Sequence, residues 1–288
     1  MSKLPKAKSA FLIFIDDSEP GIDDQTLEEV VRKIGENEAE VLYLVIQSYG
    51  GSPYSAVAIM NVLNSRFDKI ITIVPKYAKS AGTLMALGTD EIYMQERSAL
   101  GPLDLPIEHH KDGTRISALD VINTTTSMAG LVESIAKDRY KFYRDREVSK
   151  LEASRLALAS ATEFLNPIVS QVDPYHLQKA HRELRIGTWY AIDMLVNRMM
   201  KNDASKASKT AQKLVHDFPA HEYSIYSEDA ERMLGLTIKK IANLTAWSGD
   251  MKSAYEKVAG KTYAIQFGII DAHDDEPKKQ PEKTGAGQ

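Results

Sequence analysis

The sequence predicts an α/β fold whose core is a parallel sheet built from repeated β-α-β units, interrupted by a long helical insertion. Three nearly continuous apolar runs, at 10–15, 41–46 and 70–74, are bounded by turn residues, as expected of strands buried on both faces. Helical patterns separate them. Residues 24–34 open with acidic side chains suited to a helix N-terminus, and 53–67 place Ala56, Ile59, Met60 and Leu63 on one face. Right-handed crossovers arrange such a series as a parallel sheet with helices packed outside, and a short strand at 91–94 continues it.

From 117 to 216 the pattern turns helical, with segments at 119–146, 151–159 and 174–200, the last carrying Ala180, Leu184, Trp189, Ile192 and Leu195. A polar stretch at 201–213 leads into a short helix. Residues 223–226 return to an extended run, 227–234 to a helix and 263–270 to a last strand, while 271–288 lack the apolar content to join a core and read as a disordered tail. The expected organisation is a core over 1–116, a helical insertion over 117–216, a return to the core over 217–270, and the tail.

Composition narrows the chemistry. The chain has 288 residues, 36 Lys and Arg against 40 Asp and Glu, and no cysteine. The lack of cysteine excludes disulfides, thiolate metal sites and a cysteine nucleophile, and fits a reducing, cytoplasmic compartment. The mixed, slightly acidic charge offers no footprint for nucleic acid. No segment approaches the roughly 20 apolar residues of a membrane span, and the N-terminus reads as an entry strand and not a secretory signal. There is no phosphate-binding glycine motif and no H-E-x-x-H pattern, so neither cofactor nor metal is expected. His109 and His110 read as polar surface, and His273 falls in the tail.

Two motifs stand where parallel-sheet enzymes keep their sites, beyond the carboxyl ends of strands. The first, Gln47-Ser48-Tyr49-Gly50-Gly51-Ser52-Pro53, follows the second strand, and its glycines let backbone approach a ligand with outward N–H groups. The second, Lys79-Ser80-Ala81-Gly82-Thr83, follows the third strand and opens a helix, so the Ser80 hydroxyl stands at a helix N-terminus. Each has a plainer explanation, a tight turn for the first and an N-cap serine for the second.

Taken together, a glycine pair followed by a serine among small residues, with Gly51 and Ser80 29 positions apart, resembles the Clp protease proteolytic subunit and signal peptide peptidase A, serine peptidases of the crotonase-like superfamily. The stretches 98–104 (Ser-Ala-Leu-Gly-Pro-Leu-Asp), 218–221 (Phe-Pro-Ala-His) and 227–236 are similar to the serine dehydrogenase proteinase family. The resemblance implies Ser80 as nucleophile, the N–H groups of Gly51 and Ala81 as oxyanion hole, and Gly50 and Ser52 in contact with a peptide substrate. The chain departs from the Clp subunit near Leu103 and Asp104, where that family keeps a histidine and this sequence has none.

A serine needs a base. The serine dehydrogenase proteinase order Ser, Asp, His is met by Ser80, Asp104 and His221, with His221 taking the proton and Asp104 orienting the imidazole. A lysine base, as in signal peptide peptidase A, would come from Lys137 or Lys141, although their charged surroundings read as a solvated helix face. The leading expectation is a serine endopeptidase acting on an extended peptide. The same fold also serves acyl-CoA chemistry without a serine, or non-catalytic assembly in which the helical insertion docks a protein partner. A homo-oligomer is expected, with Met194, Leu195, Met199 and Met200 buried between subunits.

Overall fold

In the computed structural model, which describes residues 8–104, 106–108, 113–241 and 249–270, the apolar runs become the centre of a sheet. Strand β1 (Ser9–Asp16) is buried along its whole length because β2 (Val41–Ser48) lies parallel on one side and a late strand antiparallel on the other. β3 (Lys69–Val74) pairs parallel with β2. The turn Pro75-Lys76 then releases the chain into β4 (Tyr77–Ala78), which touches β2 again at Ser48. β5 (Glu91–Met94) repeats the device: it lies parallel to β3, and after a turn β6 (Ala99–Leu100) lies parallel to β4. The sheet therefore forks at its carboxyl end, and the fork carries both sequence motifs.

Helix α1 (Asp24–Ile34) starts at a capping box between Asp23 and Thr26, and α2 (Pro53–Arg66) starts at Ser52, whose side chain accepts from the Ser55 N–H. α3 (Ala81–Leu87) is buried at every position. The chain divides into two compact units, one drawn from Met1–Leu103 and Thr188–Gln288 and the other from Asp104–Gly187.

In the second unit, β7 (Pro106–Glu108) and β8 (Arg115–Ser117) pair antiparallel ahead of α4 (Ala118–Arg144). α5 (Lys150–Val169) runs ten residues past the expected end, because Ala153, Ala157, Ala161 and Leu165 keep one buried face at i, i+4 spacing. Pro167 falls in its last turn.

α6 (Pro174–Asn197) begins in the second unit and ends in the first. Ala180, Leu184, Ala191 and Leu195 are buried, whereas Trp189 is 69% exposed, since five residues beyond Leu184 is well off that face. Met194, Leu195 and Met200 are buried within the chain itself, and Met194 and Met60 both close on Gly88. This corrects the expectation that they pack between subunits. α7 (Ala204–His216) also belongs to the sheet unit.

The chain then rejoins the fork. β9 (Ile225–Tyr226) pairs antiparallel with β6, α8 (Ser227–Arg232) follows, and β10 (Ile238–Lys240) adds a parallel strand beside β5. α9 (Gly249–Glu256) covers one sheet face with Met251 and Tyr255 against Phe11, Ile13, Ile15 and Val45. β11 (Tyr263–Ile270) closes the edge beside β1. The expected tail, His109, His110 and His273 lie outside the described residues. Among the described residues no helix is long and apolar enough to cross a membrane.

A polar tie holds the chain just after α6 to the end of α2 and to the turns that lead into β3 and β5. Arg198 donates to the Phe67 carbonyl at 2.6 Å, the Asp68 carbonyl at 2.6 Å and Asn64 Oδ1 at 3.0 Å, and pairs with Asp90 at 3.2 Å. Its side chain is 11% exposed and that of Asp90 30%, so deletion leaves partly buried acceptors unpaired. Arg198→Ala is expected to cost about 2 kcal/mol in urea unfolding, the scale of leaving partly buried acceptors unpaired, and a loss under about 0.5 kcal/mol would contradict this role.

Candidate active site

Ser80 sits between β4 and α3 in a conformation that side chains avoid, with φ 47° and ψ −115°. Such backbone costs of order 1–3 kcal/mol and persists only where its surroundings enforce it. The enforcement is visible on both sides. A Cβ on Gly50 would stand 2.8 Å from the Ser80 Cβ and 3.2 Å from the Ala81 nitrogen, and one on Gly101 would stand 3.2 Å from the Ser80 nitrogen. Two glycine backbones thus grip the turn where no side chain fits. Thr83 fastens it from behind, donating to the Ala78 carbonyl at 2.6 Å while its oxygen accepts the Gly101 N–H at 2.9 Å.

The Ser80 hydroxyl does not serve the helix. It occupies the N-cap position of α3 yet makes no capping hydrogen bond, which removes the plainer explanation for a serine there.

Its neighbours are the backbones of Gly50 and Gly101. Gly50 has φ 117° and Gly51 φ 144°, the first held by its N–H to Ser48 Oγ at 3.0 Å. Gly51 forms a parallel bridge with Ile22, in which the Ile22 N–H reaches the Gly50 carbonyl and the Ser52 N–H reaches the Ile22 carbonyl. That ladder turns the N–H and carbonyl of Gly51 itself to the opposite side. Neither the Gly51 N–H nor the Ala81 N–H donates to another described residue. The Ser52 side chain, meanwhile, is engaged as the cap of α2.

Beneath the glycines lies a polar cluster that the sequence does not announce. Asp17 Oδ2 accepts from Tyr77 Oη and from Gln47 Nε2, each at 2.8 Å, and Tyr77 stacks on Tyr49 with centroids 4.4 Å apart. Burial, with Tyr49 and Asp17 alongside, pushes the Tyr77 hydroxyl far above the usual phenol range, so it stays protonated and donates.

The segment bearing His221 comes back to this fork through β9, and Lys79 meets it: its Nζ donates to the Tyr223 carbonyl at 2.8 Å and Ser224 Oγ at 2.9 Å. His221 is half-buried in the turn before that strand. Asp104 belongs to the other unit, where it is buried and accepts from Ser117 Oγ at 2.7 Å. Lys137 and Lys141 are exposed on α4. The structure therefore brings together Ser80, Gly50, Ala81 and the return segment. Among the described residues no cluster of His, Cys, Asp and Glu is gathered for a metal ion.

Residues 13–145 match the model of the ClpP-like SDH-type serine proteinases. That span of the proteinase family takes in Gly51, Ser80, Ala81, Asp104, Lys137 and Lys141, and leaves His221 beyond it. Two uncharacterized proteins of Methanocaldococcus jannaschii are similar to the chain, one 29% identical over 142 residues, covering 43% of this chain and 50% of the relative, the other 28% identical over 140 residues, covering 43% and 48%. The chain thus spans about half the length of the curated relatives it matches. Among solved structures, a membrane-bound stomatin-specific protease in complex with a substrate peptide aligns at TM-score 0.48 and 14% identity, over 84% of this chain and 78% of that one. A second variant of the same protease aligns at 0.48 and 13%, over 84% and 83%.

If the Ser80 turn stores strain, Ser80→Gly should raise stability by about 1 kcal/mol, whereas Gly101→Ala should lower it by about 2 kcal/mol. Urea unfolding reads both, and a Ser80→Gly variant less stable than wild type would show the turn to be unstrained.

Proposed function

We propose that the chain is a serine endopeptidase in which Ser80 attacks the carbonyl of an extended peptide. The observation that carries this is the Ser80 turn itself: a strained, non-capping serine between a strand and a helix, followed by an Ala81 N–H that donates to no other described residue. The match to a serine proteinase family supports the same chemistry from the sequence side.

In this reading the Ser80 oxygen adds to the carbonyl carbon, and the charge gathering on the carbonyl oxygen is held by the N–H groups of Gly51 and Ala81. His221 accepts the Ser80 proton and returns it to the leaving amine, leaving an acyl-enzyme that water hydrolyses by the same relay. Asp104 orients the imidazole. Gly50 and Ser52 border the substrate strand, where the outward N–H and carbonyl of Gly51 offer main-chain bonds. A lysine base draws support from the family span, which includes Lys137 and Lys141; their exposure argues for His221, because a neutral lysine needs desolvation. Homo-oligomerisation, or docking of a protein partner, is supported on the helical unit by the exposed Leu151, Leu158 and Phe164.

A fluorophosphonate probe with intact-mass readout tests the assignment. Wild type should gain one adduct on Ser80, Ser80→Ala should gain none, and peptide hydrolysis should fall by about 10⁴-fold in Ser80→Ala and nearly as far in His221→Ala, because members of such a unit are not additive. Hydrolysis that survives Ser80→Ala removes the nucleophile. An active His221→Ala beside an inactive Lys137→Ala or Lys141→Ala makes the base a lysine.

A further inference from the structure

Lys79 precedes the nucleophile and is half-buried, an unusual setting for a lysine. Its stem runs over Gly101, where a Cβ would stand 2.8 Å from the Lys79 Cδ and 3.2 Å from its Cα, so glycine opens the path. The ammonium emerges on the return segment and meets the Tyr223 carbonyl at 2.8 Å, Ser224 Oγ at 2.9 Å and the Glu222 carbonyl at 3.5 Å. Three donors face three acceptors. Burial pulls the Lys79 pKa below its usual value, an effect the nearby Glu222 carboxylate only partly opposes.

β9 pairs with β6 over two residues, Ala99 with Tyr226 and Leu100 with Ile225, and β6 pairs with β4 over two more. Such short ladders set direction but fix the preceding turn weakly. The Lys79 backbone, by contrast, is rigid: its N–H donates to the Ser48 carbonyl at 2.9 Å and its carbonyl accepts the Gly82 N–H at 2.7 Å. We propose that Lys79 is a positioning residue, whose ammonium fastens Glu222–Ser224 to the Ser80 turn and so sets the place of His221 relative to the nucleophile. This rests on the peptidase reading above, and Lys79 itself neither attacks nor accepts a proton.

Two readouts on Lys79→Met test it, amide hydrogen exchange across 219–226 and the pH profile of fluorophosphonate labelling. Exchange in that segment should accelerate while the central strands keep their protection. Labelling at neutral pH should slow by about a hundredfold, the scale of a misplacement of about 1 Å, and lose the plateau above the histidine pKa. Lys79→Arg, which keeps donors for Tyr223 and Ser224, should recover part of the rate, and Ser224→Ala should lower it from the opposite partner without unfolding the protein. Unchanged exchange in Lys79→Met overturns the inference and leaves the peptidase reading standing. A labelling profile like that of wild type overturns it as well. A wild type that never labels, with exchange still accelerated in the variant, overturns the peptidase reading and reduces Lys79 to a structural tie.

Discussion

Close packing of three backbone segments around Ser80 is the constraint on which the rest depends. Gly50 approaches the turn from one side more nearly than a Cβ allows, Gly101 from the other with little room for one, and between them Ser80 is held at φ 47°. The architecture serves this approach. β3 and β5 both break after a few residues, and their continuations β4 and β6 run on past the end of the main sheet, bringing the residues before and after each turn into one layer. Energy from the buried sheet and its covering helices maintains a local conformation that the turn would not adopt alone.

Buried hydroxyls keep the fork in register. Ser48 donates to the Asp16 carbonyl at 2.7 Å and accepts the Gly50 N–H, Thr83 joins α3 to Ala78 and Gly101, and Ser98 donates to the Val74 carbonyl at 2.6 Å. Each satisfies backbone groups that a strand break would leave orphaned inside the protein. Ser80 differs from them in one respect: its hydroxyl makes no capping hydrogen bond.

Much of this was legible in the sequence for a physical reason. A strand buried on both faces must be apolar at every position, so β1, β2 and β3 stood out, and the glycines and small residues around Ser80 marked close backbone approach. What escaped is what carries no period. β4 and β6 are two-residue ladders, too short for any alternation, and they exist because neighbouring backbone is already in place. Nothing in the sequence sets the role of Lys79 apart, because its acceptors lie more than 140 positions away and two are carbonyls with no residue identity. The apolar residues of α6 declared that they would be buried, but not in which chain, and Met194, Leu195 and Met200 found their cover within their own.

The central claim is that Ser80 faces an oxyanion site made by Gly51 and Ala81, and a structure of the protein with a peptide boronate tests it most directly. The account predicts boron bonded to Ser80 Oγ, with one boronate oxygen about 2.7–3.1 Å from both the Gly51 and the Ala81 nitrogen. A boronate bound elsewhere, or an adduct on Ser80 whose oxygens meet neither N–H, would contradict it.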